Sequence, residues 1–193
     1  QDSISLLNMN TLEQKSVYEI NNTFQISSLF YDNKGEVLWI GTSTDGLFYL
    51  DMKKKSLLPF SDFPKQPIGV ITESSDSTLL VGIDGQGVWE LDKDKKTVLN
   101  ILKEDIDNPF SLRGDGVYDI YCDGKQRVWV ATYTGGLSFF DWKSPLINQI
   151  THQVNNPNSL GNDNVNKILE DSKGDIWFAT NNGISRWRVA TNE

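Results

Sequence analysis

The stretch that decides the fold runs from Asn155 to Trp187 and reads NNPNSLGNDNVNKILEDSKGDIWFATNNGISRW. An alternating apolar segment from Val165 to Asp171 leads into the turn Asp171-Ser172-Lys173-Gly174. A second apolar run covers Ile176 to Thr180, and a further turn at Asn182-Gly183 opens a third run. Three short strands joined by two tight turns predict an antiparallel β-meander.

The same arrangement occurs four times along the chain. Each copy has a short apolar element with a small residue in its third position, followed by a glycine. The four elements are Trp39-Ile40-Gly41-Thr42, Leu80-Val81-Gly82-Ile83, Trp129-Val130-Ala131-Thr132 and Trp177-Phe178-Ala179-Thr180, and the glycines are Gly46, Gly87, Gly136 and Gly183. Successive elements begin 41, 49 and 48 residues apart. A period of about 40 to 50 residues built from short strands is typical of a β-propeller.

We therefore predict an all-β fold of about four four-stranded antiparallel blades plus a partial blade. The predicted boundaries are residues 1–25 for the partial blade, then 26–66, 67–115, 116–163 and 164–193. The first strand of each blade should line a central channel. Ser3 to Asn8 and Ser16 to Ile20 resemble third and outermost strands, so the sequence reads as a fragment of a larger propeller. Two copies that associate through open strand edges are the alternative.

The repeated small residues have a predicted role in packing. Gly41, Gly82, Ala131 and Ala179 should lie where one twisted sheet presses on the next, because a larger side chain would hold the blades apart. The tryptophans of the same elements, which are Trp39, Trp129 and Trp177, should fill the wedge that widens away from the axis. The turn aspartates, such as Asp32 and Asp171, should accept hydrogen bonds from amides of their own turns.

Composition excludes several classes of function. Lys and Arg total 18 against 26 Asp and Glu, so the net charge of −8 argues against nucleic acid and anionic membranes as general partners. A lone cysteine, Cys122, cannot form an internal disulfide framework. No apolar run approaches the length of a membrane span, so we expect membrane contact only through segments outside this sequence.

Two stretches resemble the two-component regulator propeller repeat, namely Asp171 through Ile184 and Asp32 through Leu47. Asn108-Pro109-Phe110-Ser111-Leu112 and Asn156-Pro157-Asn158-Ser159-Leu160 match the Asn-Pro-x-Ser-Leu lead-in that often precedes the inner strand in that family. The resemblance covers all four units, roughly residues 26 to 188. The second copy departs from the pattern, with Leu80 in place of Trp and Ile83 in place of Thr.

The resemblance implies a function. Such repeats form the periplasmic sensor of hybrid two-component systems, with the membrane helix, histidine kinase and response regulator in other parts of the receptor. It implies a ligand-sensing ectodomain of an inner-membrane receptor that responds to oligosaccharides and controls glycan-utilisation genes. Neighbouring propeller blades of the same receptor, or a second copy, are the implied protein partners. A purely structural or dimerisation role is the alternative.

Catalysis has little support in the sequence, and we predict no catalytic residue, no metal site and no cofactor. His152 is the only histidine and Cys122 the only cysteine, and the sequence does not single out a Ser/His/Asp or Cys/His arrangement. The acidic run from Glu104 to Asn108 lacks the spacing and glycine of an EF-hand. A propeller lyase or hydrolase therefore ranks below both non-enzymatic functions.

A ligand site is predicted on one face of the propeller. Loops that lead into the inner strands and loops between second and third strands meet there, and sugars need amide, carboxylate and guanidinium groups beside an aromatic ring. The candidate residues are Arg113, Asp115, Tyr133, Asn162, Asn164, Asn181, Gln86 and Asp45. Tyr133 and Arg113 are the preferred pair, as a stacking ring and a fork-shaped donor. The alternative is that all of these are ordinary polar loop residues.

Overall fold

A computed structural model describes residues 2–20, 24–123, 127–141, 144–188 and 191. Within these residues the secondary structure consists of strands arranged in five antiparallel sheets. Across the same residues, no helix has the length and apolar character that crossing a membrane requires. Gly124, Lys125 and Gln126 of the predicted third-copy turn, and Val189 at the predicted end of the last strand, lie outside the described residues.

The five sheets follow one another along the chain, and strand order within each sheet is sequential. An N-terminal pair precedes four sheets that we call the first to fourth blades. The N-terminal pair is β1 (Asp2–Leu7) and β2 (Gln14–Ile20); the first blade is β3 (Ile26–Asp32), β4 (Val37–Thr42), β5 (Leu47–Asp51) and β6 (Ser56–Pro59); the second is β7 (Ile68–Ser75), β8 (Thr78–Ile83), β9 (Gly87–Asp92) and β10 (Thr97–Leu102); the third is β11 (Val117–Cys122), β12 (Arg127–Thr132), β13 (Leu137–Asp141) and β14 (Ser144–Ile150); the fourth is β15 (Val165–Glu170), β16 (Ile176–Thr180) and β17 (Gly183–Trp187). The predicted all-β propeller blades are confirmed. The exact blade boundaries stay a prediction.

The first strands of the blades lie side by side around a common axis. β3 contacts β7, β7 contacts β11 and β11 contacts β15. The Ser27 hydroxyl donates to the carbonyl of Ile68 at 2.8 Å. Between the third and fourth blades, buried Asp119 accepts the backbone N–H of Ile168 at 2.9 Å and the ammonium of Lys167 at 3.1 Å. Inner strands therefore bind their neighbours directly, which fixes the loops at each end of the channel.

Small residues at the third position of the repeated four-residue elements, which lie in the second strands, let adjacent blades touch. A Cβ atom at Gly41 would lie 2.7 Å from Cγ2 of Ile68, the first residue of the second blade. A Cβ atom at Gly82 would lie 2.6 Å from Cγ1 of Val117, the first residue of the third blade. Ala131 is fully buried against the fourth blade. The packing prediction is confirmed at these three positions.

The fourth blade departs from that prediction. Ala179 is exposed and Trp177 is only half-buried, whereas Trp39 and Trp129 are fully buried. The physical reason is that, in the described part of the chain, no further sheet packs on the outward face of the fourth blade. Ala179 and Trp177 therefore do not form a blade interface in this structure.

The turn aspartates bond more than their own turn amides. As predicted, Asp171 accepts the N–H of Lys173 at 2.8 Å. In addition, Oδ2 of Asp171 accepts the indole N–H of Trp177 at 2.8 Å, and Oδ2 of Asp123 accepts that of Trp129 at 3.0 Å. The aspartate thus joins the first turn of a blade to the tryptophan of its second strand.

The first blade replaces this bond with a contact between blades. Trp39 follows Asp32 by seven residues, instead of the six of the third and fourth copies, and its Nε1 has no partner among the described residues. Asp32 instead pairs with Lys93 of the second blade at 3.4 Å, and Glu73 also pairs with Lys93. Lys93 is only 2% exposed. Burial alone would lower its pKa, but the bond to Glu73 and the charge of Asp32 outweigh burial and raise it.

We predict that Gly82→Val destabilises the protein by about 1–3 kcal/mol, because the new side chain would force apart the second and third blades. The matched control is Ala179→Val, at the equivalent but exposed position of the fourth blade, which should change stability by about 0.5 kcal/mol or less. Chemical denaturation of both variants measures the difference. Equal losses for the two variants would contradict the proposed role of the small residues.

We predict that Trp177→Phe raises the pKa of Asp171. The indole bond is the main reason that this pKa lies below its ordinary value, and the amide of Lys173 is the next. A carboxylate with a lowered pKa stabilises the folded state above its unfolded-state pKa, and that stabilisation disappears as pH falls through the folded-state pKa. As pH falls, the variant should therefore lose the stabilisation that ionised Asp171 provides at a higher pH than the wild type does. Carbon-13 NMR titration of Asp171 measures the shift, with Trp187→Phe as the control that should leave it unchanged.

Candidate functional site

Two tyrosines form an exposed aromatic pair at one end of the channel. Tyr118 is the second residue of β11, and Tyr133 follows β12 directly. Their ring centroids are 5.6 Å apart at an angle of 59°. Tyr118 is 36% exposed and Tyr133 is 52% exposed. The pair therefore presents ring surface to solvent at the rim of the channel.

Asp84 of the second blade borders the same pair. A Cβ atom at Gly116 would lie 3.3 Å from Oδ1 of Asp84 and 3.4 Å from Cβ of Tyr133, so Gly116 separates the two residues with no side chain of its own. The backbone N–H of Tyr133 donates to the carbonyl of Gly116 at 2.9 Å. Partial desolvation, then the charges of Asp84 and Tyr133, raise the pKa of Tyr118. A carboxylate thus lies beside two exposed rings.

The fourth blade carries two amides at the equivalent positions. Val117 pairs with Thr132 and Val165 pairs with Thr180, so the residues that follow them correspond. Asn166 and Asn181 therefore match Tyr118 and Tyr133, and Nδ2 of Asn166 donates to Oδ1 of Asn181 at 2.9 Å. We define the rim site as Asp84, Gly116, Tyr118, Tyr133, Asn166 and Asn181. It combines a carboxylate, two aromatic rings and two carboxamides from three successive blades.

The structure brings only two of the predicted ligand residues into the rim site, Tyr133 and Asn181. Arg113, the preferred partner of Tyr133, instead directs Nη1 to Oε1 of Gln149 on β14 at 3.4 Å. The outermost strand thus supplies an acceptor for the guanidinium, and the pairing of Arg113 with Tyr133 stays a prediction.

The other predicted residues mostly shape loops. Oδ1 of Asp115 accepts the N–H of Glu104 at 2.7 Å, and Oε1 of Gln86 accepts the ammonium of Lys103 at 2.8 Å. Asp45 is exposed in the first blade and accepts the Thr44 hydroxyl at 2.7 Å.

Asn162 and Asn164 support the loop before β15. Oδ1 of Asn162 accepts the N–H of Asn164 at 2.9 Å, and the carbonyl of Asn164 accepts the N–H of Asn181 at 3.2 Å. Oδ1 of Asn164 is buried with no hydrogen-bond partner among the described residues. These two residues therefore position Asn181 and do not themselves form the rim.

Sequence reasoning missed Tyr118, Gly116 and Asn166 because it searched loops and left out the inner strands. No local pattern signals Tyr118 and Asn166, because each lies where the register of the inner strand shifts. The ladder passes from Val117 to Asp119 and from Val165 to Lys167, so regular strand alternation does not hold there. Tyr118 and Asn166 both follow a fully buried valine.

The lead-in motif has a clear structural basis. In both copies the asparagine side chain accepts the N–H of the residue two positions later. Oδ1 of Asn108 accepts the N–H of Phe110, and Oδ1 of Asn156 accepts the N–H of Asn158, each at 3.0 Å. The serine hydroxyl of each copy accepts the N–H of the residue six positions earlier. Ser111 accepts from Asp105 and Ser159 from Gln153, each at 2.9 Å. The motif thus closes a compact loop that delivers the chain to the inner strand.

The isolated histidine and cysteine have structural surroundings. Nδ1 of His152 lies 2.7 Å from the carbonyl oxygen of Leu160, which fits an N–H donor at that position. Burial, followed by the charge of Asp123, raises the pKa of Cys122 to about 11, so its thiol is protonated at neutral pH. The described residues contain no group of three or more His, Cys, Asp or Glu that could hold a metal ion.

Comparison with known proteins identifies the repeats. Residues 111–134 and 159–182 match the family model of the two component regulator propeller. These two segments, in the third and fourth copies of the repeat, are similar to that family. The matched segments contain the Ser-Leu end of each lead-in, the inner strand and the tryptophan strand of the third and fourth copies. They also include Gly116, Tyr118, Tyr133, Asn166 and Asn181 of the rim site.

Similar proteins include one curated relative and several solved structures. Histidine kinase P4 of Formosa agariphila is 27% identical over 108 residues, which are 52% of this chain and 8% of that protein. Two extracellular domains from B. thetaiotaomicron, each assigned to a hybrid two component system, share 16% and 20% identity with TM-scores of 0.55 and 0.54. They align with 99% and 93% of this chain, and the aligned parts are 32% and 30% of their own chains. At that identity the structural likeness shows the propeller fold, and this chain spans only a small part of each relative.

We predict that Asp84→Asn lowers the pKa of Tyr118, because the substitution removes one of the negative charges that disfavour the phenolate. The pKa should stay above its ordinary value, since desolvation of the ring remains. NMR titration of the tyrosine ring carbons measures the change. Asp45→Asn, on the first blade, is the matched control and should leave Tyr118 unaffected. An unchanged pKa in Asp84→Asn would contradict the geometry of the rim site.

Proposed function

We propose that this chain is a ligand-sensing extracytoplasmic segment of a hybrid two-component signalling receptor. The family match of its third and fourth repeats supports the assignment, together with the likeness to a histidine kinase and to extracellular domains of hybrid two component systems. The periplasm is the proposed compartment, as the ectodomain of an inner-membrane receptor. The segment itself is non-enzymatic and needs no cofactor, and kinase activity belongs to other parts of the receptor.

The rim site is the observation that carries the ligand proposal, and we propose an oligosaccharide as the ligand. Sugar rings have apolar faces that stack on aromatic side chains, and hydroxyl groups that need paired donors and acceptors. Tyr118 and Tyr133 supply exposed ring faces, 5.6 Å apart. The Asp84 carboxylate lies beside them, and the two carboxamides, at the equivalent positions of the fourth blade, supply further acceptors and donors. The chain's net charge of −8 favours a neutral sugar over an anionic one.

Signalling follows from the position of this site. Its residues come from the second, third and fourth blades, so a ligand that spans it binds best to one relative placement of those blades. A ligand shifts a conformational equilibrium only by its difference in affinity for the two states. The inner strands contact one another directly, and a change at the rim is therefore transmitted from blade to blade. The proposed readout is kinase output that controls glycan-utilisation genes.

A second candidate function is structural, and one surface favours it. On the fourth blade, Leu169 is 64% exposed and Ile184 is 73% exposed, beside half-buried Trp177 and exposed Ala179. At equivalent positions in the third blade, Trp129, Ala131 and Leu137 are fully buried and Tyr121 is half-buried, in the cluster that packs against the fourth blade. In this alternative, the segment binds no ligand and contributes a face for neighbouring blades of the receptor or for a second copy.

We predict that Tyr133→Ala weakens oligosaccharide binding by about tenfold or more, because it removes an exposed stacking surface. Calorimetric titration of the receptor ectodomain with a panel of glycan-derived oligosaccharides measures the affinity. Tyr31→Ala is the matched control, since Tyr31 is also exposed but lies near the opposite end of the channel, and it should bind like the wild type. Absence of binding across the panel would favour the structural alternative, and turnover of an oligosaccharide would overturn the non-enzymatic assignment.

A further inference from the structure

Each blade places two equivalent residues at the rim of the channel. The residue that follows the second strand donates its backbone N–H to a carbonyl just before the inner strand, at 2.9 to 3.2 Å. The inner strand then shifts register after its first residue, so the ladder skips its second residue, and such a bulge re-aims a side chain. The N–H donors are Ser43, Asp84, Tyr133 and Asn181, and the skipped residues are Ser27, Gly69, Tyr118 and Asn166.

Asp84 is the only Asp, Glu, Lys or Arg among these equivalent residues. It is exposed, and in the described part of the chain it forms no ion pair with a Lys or Arg. Desolvation raises the pKa of Tyr118, and the charge of Asp84 raises it further, so this carboxylate acts on the neighbouring ring. The aromatic pair therefore lies beside a negative charge that no cation of the described residues neutralises.

Two glycines lie where the second and third blades meet at this rim. A Cβ atom at Gly69 would lie 2.8 Å from a carbonyl oxygen of β11, so the two inner strands touch without a side chain between them. Gly116 is partly exposed, and the position that a Cβ atom would take there is 3.3 Å from Oδ1 of Asp84 and 3.4 Å from Cβ of Tyr133. A ligand group near that position would contact the carboxylate and Tyr133 together.

Two aromatic rings beside a carboxylate suit an ammonium group. The face of a tyrosine ring attracts a cation that lies within about 6 Å of its centroid. The rings of Tyr118 and Tyr133 are inclined at 59°, and Asp84 adds a full counter-charge beside them. A sugar hydroxyl or acetamido group gains no ion pair from this arrangement. The net charge of −8 attracts a cation over longer distances as well.

We propose that the rim site binds an amino sugar, whose protonated amine lies between the Asp84 carboxylate and the rings of Tyr118 and Tyr133. The proposal rests on the proposed function, since it names the class of sugar that the same site takes. The sugar carries a free amine, because acetylation would remove the charge that Asp84 and the ring faces attract. The carboxamides of Asn166 and Asn181 remain for hydroxyl groups of the same oligosaccharide.

The test compares three β-1,4-linked trisaccharides that differ at carbon 2. Glucosamine trisaccharide carries amines, its N-acetylated form carries acetamido groups, and cellotriose carries hydroxyls. Calorimetric titration of the receptor ectodomain at about pH 6, where ordinary amines are protonated, measures the three affinities. We expect the glucosamine trisaccharide to bind about tenfold more tightly than either neutral sugar. Added salt should reduce this preference, because it screens exposed charges.

Asp84→Asn tests the carboxylate directly. It keeps the size of the side chain and removes its charge, so the glucosamine trisaccharide and cellotriose should bind within about threefold of each other. Asp45→Asn removes an exposed acid from the first blade and is the matched control, which should keep the wild-type preference. Circular dichroism checks that both variants are folded.

A preference for the amine that survives Asp84→Asn would overturn the proposal. So would a wild type that binds the amine sugar no more tightly than a neutral one. In that case, binding of a neutral sugar that Tyr133→Ala weakens would leave the oligosaccharide function standing. If no sugar of this series or of the wider panel binds, the inference and the oligosaccharide function both fail.

Discussion

The close approach of neighbouring sheets is the constraint on which the rest of the structure depends. Gly41 and Gly82 have no space for a Cβ atom, because the first residue of the next blade already occupies it. Fully buried Trp39 and Trp129 fill the wider space two residues away on the same strand face. A small residue that touches the next blade thus alternates with a large residue that fills the wider gap, and this arrangement sets the angle between blades. The angle brings inner strands into contact and places Asp84, Tyr118 and Tyr133 at one rim.

Sequence periodicity was sufficient to predict the blades because every copy repeats the same packing requirement. The small residue and the hairpin glycine recur in order in all four copies, and the tryptophan in three of them, and the strands form where those residues place them. The predicted burial of Ala179 and Trp177 at a blade interface was wrong. A repeat pattern indicates which face of a blade is suited to packing, but it does not indicate whether a neighbouring blade is present. The exposed face of the fourth blade is a property of the assembly of sheets, which no single repeat encodes.

The candidate site was only partly predictable. Tyr133 and Asn181 lie in loops with recognisable turn chemistry, and both reach the rim. Arg113 lies in an equally suitable loop, but its guanidinium bonds Gln149, a contact between residues 36 positions apart that no local pattern indicates. Tyr118 was missed although its strand was predicted, since its exposure depends on how neighbouring inner strands meet. Residue type and register are local properties, whereas the partner of a long polar side chain is set by tertiary structure.

The pairing of Asp32 with Lys93 joins the first two blades by a different chemistry. The join between the second and third blades is mainly apolar and tolerates small sliding movements of one sheet against the next. A buried ion pair with its hydrogen bonds is directional, and separating it would leave uncompensated charges in a place that water cannot reach. Any twisting of the ring should therefore be shared unevenly. The first and second blades would turn together as one block, and so would the third and fourth, which buried Asp119 joins through Ile168 and Lys167. The flexible joint would lie between the second and third blades.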